Sequence, residues 1–256
     1  MCRMFFQCST EPFTIEYNLL KKFIDSCHWQ YFRKYNVFGH HGLGWGFAYI
    51  PEDDTNKLII KRDINPIYHS DWESLSKLYT KFLLVHARKS FPWKKNNFNI
   101  HPINIGGKYL ITHNGVIKNS SFPKLNNPEL EIINSSTNLD TRKYLCFILD
   151  QLKQKHNLKN TLEYIFKILK LGAGANAFLF NSVECNVINY HNTNFNGRHH
   201  ALFISKSKSK IFVSTSPIIK KTKEIPNKSL IQIKLKDLAL KIHKLMNLNS
   251  KTRILK

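Results

Sequence analysis

What most limits the fold of this 256-residue chain is the order in which its apolar residues change period. Past Thr137 they recur every three or four positions. Leu145, Ile148, Leu149 and Leu152 predict one amphipathic helix to about His156, and Leu162, Ile165, Phe166 and Leu169 predict a second over Asn160–Lys170. On either side the apolar segments are short and bounded by turn residues, the mark of strands. Early strands are predicted over Cys2–Cys8, up to Ile50, over Lys57–Arg62, Phe82–Arg88 and Lys108–His113. Later ones are predicted over Ala175–Phe180, Cys185–Tyr190, Ala201–Ser205, Ile211–Ser214 and Leu230–Lys234. Strands, then helices, then strands support a mixed α/β class and no finer assignment. No repeat or low-complexity linker divides the chain. Residues 2–235 are predicted to form one domain, followed over 236–256 by a basic amphipathic helix, marked by Leu235, Leu238, Ile242 and Leu245, and a frayed tail from Asn247.

Two further helices are predicted near the start. Ile15 to Phe32 carry helical spacing from about Thr14 to Tyr35, with Thr14 as N-cap and Cys27 on the buried face. Ser70-Asp71-Trp72-Glu73 has the form of a capping box before Leu75, Leu78, Tyr79 and Phe82. Glu11-Pro12 is predicted to end the first strand. The segment from Phe38 to Ile50 holds four glycines, but it is neither a dinucleotide fingerprint nor a phosphate loop, so nucleotide binding is rejected. His40 and His41 lack a cysteine or carboxylate at ligand spacing, so no metal is predicted, and no cofactor. Five cysteines, an odd number without a C-x-x-C pair, argue against a disulfide framework. With no apolar run of about eighteen residues and no leader pattern, the expected location is cytoplasmic and off the membrane.

The net charge is +22, and from Lys206 onward 14 Lys and Arg face only Glu224 and Asp237. Two readings stand: general solvation of a lysine-rich chain, or a C-terminal surface for nucleic acid or an acidic partner.

Met1-Cys2-Arg3 carries the most specific chemistry. Removal of Met1 would leave Cys2 with a thiol and a free α-amine on one residue. The amine titrates at about 7.7 to 8.0 and the thiol near 8.5, so the amine can accept the thiol proton. Alone, a Cys at this position is usually an ordinary residue. His86 and Arg88 fall on one face of a strand. Arg88 there needs an anion, either a substrate carboxylate bound by two parallel hydrogen bonds or a structural salt bridge. Asn114-Gly115 reads as a common turn, or as the two donors, a side-chain amide and a backbone N–H, that an oxyanion hole requires.

Together Cys2-Arg3, Gly44-Trp45-Gly46, His86-Ala87-Arg88 and His113-Asn114-Gly115-Val116-Ile117 resemble, in that order, the class II glutamine amidotransferase domain of the N-terminal nucleophile hydrolases, most of all its stand-alone members. The resemblance spans Cys2 to about Ser216. It implies an α+β fold, a four-layer αββα sandwich. It also implies that Cys2 attacks the γ-amide of glutamine or of a γ-glutamyl amide, with Asn114 and Gly115 holding the oxyanion, before a γ-glutamyl thioester is hydrolysed. Arg88, beside His86, would bind the α-carboxylate. Asp140, in Asp140-Thr141, would bind the α-ammonium, with helix capping by Asp140 or Thr137 as the competing explanation. Trp45 would wall the pocket or fill a core between the sheets. The chain departs from the pattern at Leu43, where Asp is frequent, at Lys89-Ser90-Phe91, and at Arg142, where Glu is usual. Relatives that build nucleotides or amino sugars fuse this domain to a synthase. Here the expected partners are glutamine or a γ-glutamyl metabolite and, for the ammonia, either a separate synthase subunit or none. A catalytically inactive module binding nucleic acid through the basic C-terminus is the alternative.

Overall fold

A computed structural model describes residues 2–28, 40–53, 57–89, 96–192 and 200–245. The expectations for Met1, for a helix beyond His28, for Ser90-Phe91 and for the tail from Asn247 lie outside these residues. Strands β1 (Arg3–Phe13), β2 (Trp45–Pro51), β3 (Ile59–Asp63) and β4 (Thr80–Ala87) precede β5 (Ile103–Ile105) and β6 (Tyr109–Ile117). Helices α2 (Pro128–Ser135), α3 (Asp140–Lys155) and α4 (Leu158–Ile168) follow, after an early α1 (Tyr17–Cys27). The chain then returns to strands β7 (Leu171–Phe180), β8 (Glu184–Asn189), β9 (Phe203–Lys206), β10 (Lys210–Ser214), β11 (Lys223–Glu224), β12 (Ser229–Lys234) and β13 (Leu240–Lys244).

Among the described residues these strands form two antiparallel sheets, β11-β9-β10-β1-β4-β2-β3 and β13-β12-β8-β7-β6-β5. Alternation along each strand divides the core. Met4, Phe6, Leu84, Leu110, Phe178, Val187, Val213 and Ile231 meet between the sheets. Phe5, Val85 and Phe47 turn the other way, onto Leu20, Phe23 and Ile24 of α1. Ile111, Ala177 and Ile188 turn outward from the second sheet onto Tyr144, Leu145, Ile148, Leu162 and Ile165 of α3 and α4. The result is helix, sheet, sheet, helix, the αββα sandwich that the resemblance implies.

Four local expectations are corrected. Residues 235–245 form no helix: β13 pairs with β12 through Ile231↔Ile242 and Gln232↔Lys241, so it extends the second sheet. The three-and-four spacing that mimicked a helix belongs to a turn and a strand. The turn is set by Asp237, which accepts from Ala239 N at 2.9 Å, and by Leu238 at φ 54°. After Ser70 only a 3₁₀ helix, Trp72–Lys77, forms, with Asp71 as N-cap accepting from Ser74 N at 3.3 Å. Strand pairing claims the chain from Thr80, overriding the helical period. Helix α1 begins at Tyr17 behind Glu16 rather than at a Thr14 cap. Strand β1 continues past Pro12 to Phe13, because its register shifts between Cys8 and Phe13 and Pro12 breaks no ladder bond there. Helix α2 was not predicted, although Asn127-Pro128 is a start signal: Asn127 accepts from Leu130 N at 3.1 Å and Pro128 occupies the first turn.

Candidate active site

The start of β1 is pinned by Thr215, whose N donates to Met4 O at 3.0 Å and whose Oγ1 accepts from Met4 N at 3.2 Å. Arg3 Nη1 donates to Thr215 O at 3.2 Å. Registers Arg3↔Ala87 and Trp45↔Ala87 then align three strand ends, with Cys2 just before β1 and Arg88 just after β4. Arg88 N donates to Gly44 O at 2.9 Å. Gly44 sits at φ +96°, where a Cβ would stand 2.7 Å from Asp63 O, so this corner admits only glycine. Arg88, just past the end of β4, lies within electrostatic reach of His86 and His101. Cys2, just before β1, lies within electrostatic reach of Cys27 on α1.

From the second sheet Asn114 looks into the space between the sheets, sharing the face of Leu110. It is fully buried, and neither its Oδ1 nor its Nδ2 has a partner among the described residues. Such a group costs about 1–3 kcal/mol. Its cross-strand neighbour Asn176 is satisfied, donating to His200 O at 2.5 Å and accepting from Tyr190 N at 2.8 Å. Gly115 is where β7 approaches most closely: a Cβ would meet Gly174 O at 1.8 Å.

Arg88 donates Nη1 to Asn99 O, and no carboxylate among the described residues forms an ion pair with it. The structural salt bridge is therefore absent there, and guanidinium donors remain for an anionic ligand. Asp140 is the first residue of α3, behind Leu139 as N-cap. Its carboxylate accepts from Ile117 N at 3.0 Å and Thr141 N at 2.8 Å, tying the end of β6 to the helix start, and its side chain stays 21% exposed. Thr137 accepts from Leu139 N at 3.1 Å. Arg142 donates to Phe98 O at 3.1 Å, which fastens the segment before His101. The fold thus brings Arg88, His86, Asn114, Gly115 and Asp140 toward one end of the sandwich, with Cys2 at the adjoining start of β1. Trp45, paired with Ala87 beside Arg88, turns its side chain to the other face of its sheet. It lies on the outer face of its sheet, stacked on Phe47 with centroids 5.5 Å apart, in the layer under α1 rather than between the sheets.

A buried polar network underlies the site. His86 Nε2 lies 3.3 Å from His113 O, and its ring stacks on His101 at 4.2 Å. His101 Nε2 and His113 Nδ1 lie 2.9 and 3.0 Å from Thr141 Oγ1, and His113 Nε2 lies 3.3 Å from Gly174 O. Sequence reasoning assigned nothing to His101, Thr141 or Asn176. The available signal was a polar residue inside an apolar strand or beside a proline, which has many causes.

Burial pushes the His86 pKa down to about 3, with the Arg88 charge acting in the same direction, and burial holds His101 well below the ordinary value. Both are neutral in the folded protein, whereas in the unfolded chain they protonate near 6.5. Stability is therefore fully present above pH 6.5 and is lost as pH falls from there toward 3. Each histidine is expected to contribute about 1.4 kcal/mol per pH unit of loss. Melting temperatures recorded from pH 8 to 5 should be flat above 7 and fall below 6.5, and His86→Gln should flatten the slope. An unchanged slope would show that His86 does not enter the folded state neutral.

His40 lines a cavity of about 390 Å³ with His28, Tyr68 and His69, beside the end of α1. Among the described residues no three His, Cys, Asp or Glu side chains are grouped to hold a metal, and no helix is long and apolar enough to cross a membrane.

The two antiparallel sheets between helical layers are a fold this chain shares with solved amidotransferase structures. The sequence profile described as Glutamine amidotransferases class-II matches residues 20–179, and the chain belongs to that family. The matched span includes Trp45, His86, Arg88, Asn114, Gly115 and Asp140. The structure is similar to glutamine phosphoribosylpyrophosphate amidotransferase from B. subtilis, with TM-score 0.63, 15% identity, and coverage of 96% of this chain and 49% of that one. It is also similar to a glutamine aminotransferase class-II domain protein from Silicibacter pomeroyi, with TM-score 0.60, 12% identity, and coverage of 96% and 100%. A predicted glutamine amidotransferase from Pseudomonas aeruginosa gives TM-score 0.52 at 12% identity, with coverage of 93% and 99%. The chain spans about half the length of the B. subtilis enzyme. No curated protein matches it.

Proposed function

We propose that the chain is an amidohydrolase whose Cys2, made N-terminal by removal of Met1, cleaves the γ-amide of glutamine or of a γ-glutamyl amide. The observation that supports this most is the fully buried, partnerless amide of Asn114, together with Cys2 and Arg88 at the adjoining ends of β1 and β4. In this reading the α-amine of Cys2 takes the thiol proton as sulfur attacks the γ-carbonyl carbon. The oxygen becomes an oxyanion held by Asn114 Nδ2–H and the Gly115 N–H. The amine's proton passes to the leaving nitrogen, the C–N bond breaks, and ammonia or an amine departs from a γ-glutamyl thioester. Water then adds, giving a proton to the same amine. The oxyanion forms again, the C–S bond breaks, glutamate leaves and the proton returns to sulfur.

Arg88 pairs with the α-carboxylate and Asp140 with the α-ammonium, so two charges at one end of the substrate set the distance from its γ-carbon to Cys2. Removing the guanidinium should act on binding. Arg88→Gln is expected to raise KM for glutamine by about 10- to 100-fold with a smaller change in kcat, since a hydrogen bond to a charged group contributes about 1.5–3 kcal/mol. A KM within threefold of wild type would remove Arg88 from the substrate site.

In this reading the ammonia passes to a separate synthase or to solution, and the protein acts without a metal or cofactor in the cytoplasm. The test is release of ammonia and glutamate from glutamine, and of amine from γ-glutamyl alkylamides, by the protein lacking Met1. Release above that of a Cys2→Ala variant is expected. No release from any of these compounds, together with steeply salt-dependent binding to nucleic acid, would favour a binding module built on the C-terminal lysines instead.

A further inference from the structure

We infer that Thr141 is a positioning residue for this site, its hydroxyl coupling the strand that carries Asn114 to the helix that carries Asp140. The inference rests on the amidohydrolase reading. An amide that waits without partners for an oxyanion cannot be held by its own hydrogen bonds, and Asn114 has none among the described residues. Its placement must come from its neighbours along β6.

His113, the residue before it, is held at three points. His86 Nε2 reaches its carbonyl at 3.3 Å, Gly174 O faces its Nε2 at 3.3 Å, and Thr141 Oγ1 faces its Nδ1 at 3.0 Å. A carbonyl only accepts, so His113 Nε2 carries a proton, and in the neutral ring Nδ1 is then bare. The single hydroxyl proton of Thr141 then goes to His113 Nδ1. His101 Nε2, 2.9 Å from the same oxygen, must be the donor to it. The directions close: His101 donates to Thr141, Thr141 to His113, and His113 to Gly174. Asp140 Oδ1, at 3.4 Å from the hydroxyl, is served instead by Thr141 N at 2.8 Å. One residue thus fixes both the strand before the oxyanion donor and the carboxylate proposed to hold the substrate ammonium. Valine has the shape of threonine without the proton, and would leave His113 Nδ1 bare and His101 Nε2–H without an acceptor.

Thr141→Val is expected to lower kcat on glutamine by about 10- to 100-fold, the effect of a displacement of about 1 Å at a reacting group. It should weaken binding of the γ-aldehyde analogue of glutamine, whose adduct with Cys2 places an oxygen at the oxyanion position, by a similar factor. Thr141→Ser, which keeps the hydroxyl, should recover both to within about threefold. A loss of melting temperature alone, with kcat and aldehyde affinity of the folded protein unchanged, would overturn the inference and leave the amidohydrolase reading intact. Absence of glutamine turnover by the wild type would remove that reading first, and this inference with it. Imidazole nitrogen shifts in the wild type give a check that no variant's folding can obscure. His113 should show a bare Nδ1 and a protonated Nε2, and the opposite tautomer contradicts the coupling.

Discussion

Replacement of Cys2 by alanine is expected to lower glutamine hydrolysis by about 10⁴-fold or more, to the level of the uncatalysed reaction within ordinary assays. Loss of a nucleophile removes the covalent step itself and not one stabilising contact. The remaining cysteines offer no substitute. Burial pushes the Cys8 and Cys27 thiols up to about 12 and Cys146 to about 11, and holds Cys185 well above its ordinary value. Each is a thiol and not a thiolate at neutral pH. Cys2 is partly exposed at a strand end, so its truncation should leave the melting temperature within a degree or two. Steady-state ammonia release by both proteins measures the effect. Activity retained in the variant would move the nucleophile elsewhere.

The second large effect is expected at Asn114. Asn114→Ala should lower kcat by about 10²- to 10³-fold, the cost of one oxyanion donor, while KM for glutamine changes little, because the amide is needed when negative charge develops and not before. Stability should change little, unlike activity. The native amide is buried without partners among the described residues, so removing it relieves a desolvation penalty of about 1–3 kcal/mol that partly offsets the packing lost with the side chain. A variant slowed more than a hundredfold with an unchanged or higher melting temperature separates a group kept for chemistry from one kept for folding. A large fall in melting temperature with kcat preserved would identify a structural amide.

Much of this fold is legible in the sequence because strands buried on both faces read as continuous apolar runs. Phe82–Val85 and Ala177–Phe180 are such runs, and both lie in strands. Helices α3 and α4 are equally plain from their spacing. Segments with sparse apolar residues mislead. In 235–245 the leucines and Ile242 fit a helix as well as a hairpin, and only pairing with β12 decides. After Ser70 the expected Ser70–Glu73 capping box is replaced by Asp71, which caps Ser74 N, and the 3₁₀ helix it starts is short because β4 takes over.

The site was legible by residue type and not by arrangement. That the start of β1 meets the end of β4 depends on the β1–β4 register, and that β6 brings Asn114 to the inner face depends on two sheets meeting face to face. Neither is written locally. Trp45 illustrates the limit: it lies between glycines that shape the site, yet alternation along β2 turns it into the α1 layer. Thr141 and His101 were invisible because their partners come from three separate segments of the chain.

The central claim is that Cys2 is an N-terminal nucleophile, and intact-mass measurement before and after treatment with an electrophilic glutamine analogue, followed by peptide mapping, tests it most directly. The account predicts a chain lacking Met1 that takes up a single adduct on Cys2. A chain that retains Met1, an adduct on any other cysteine, or no adduct at all would contradict it.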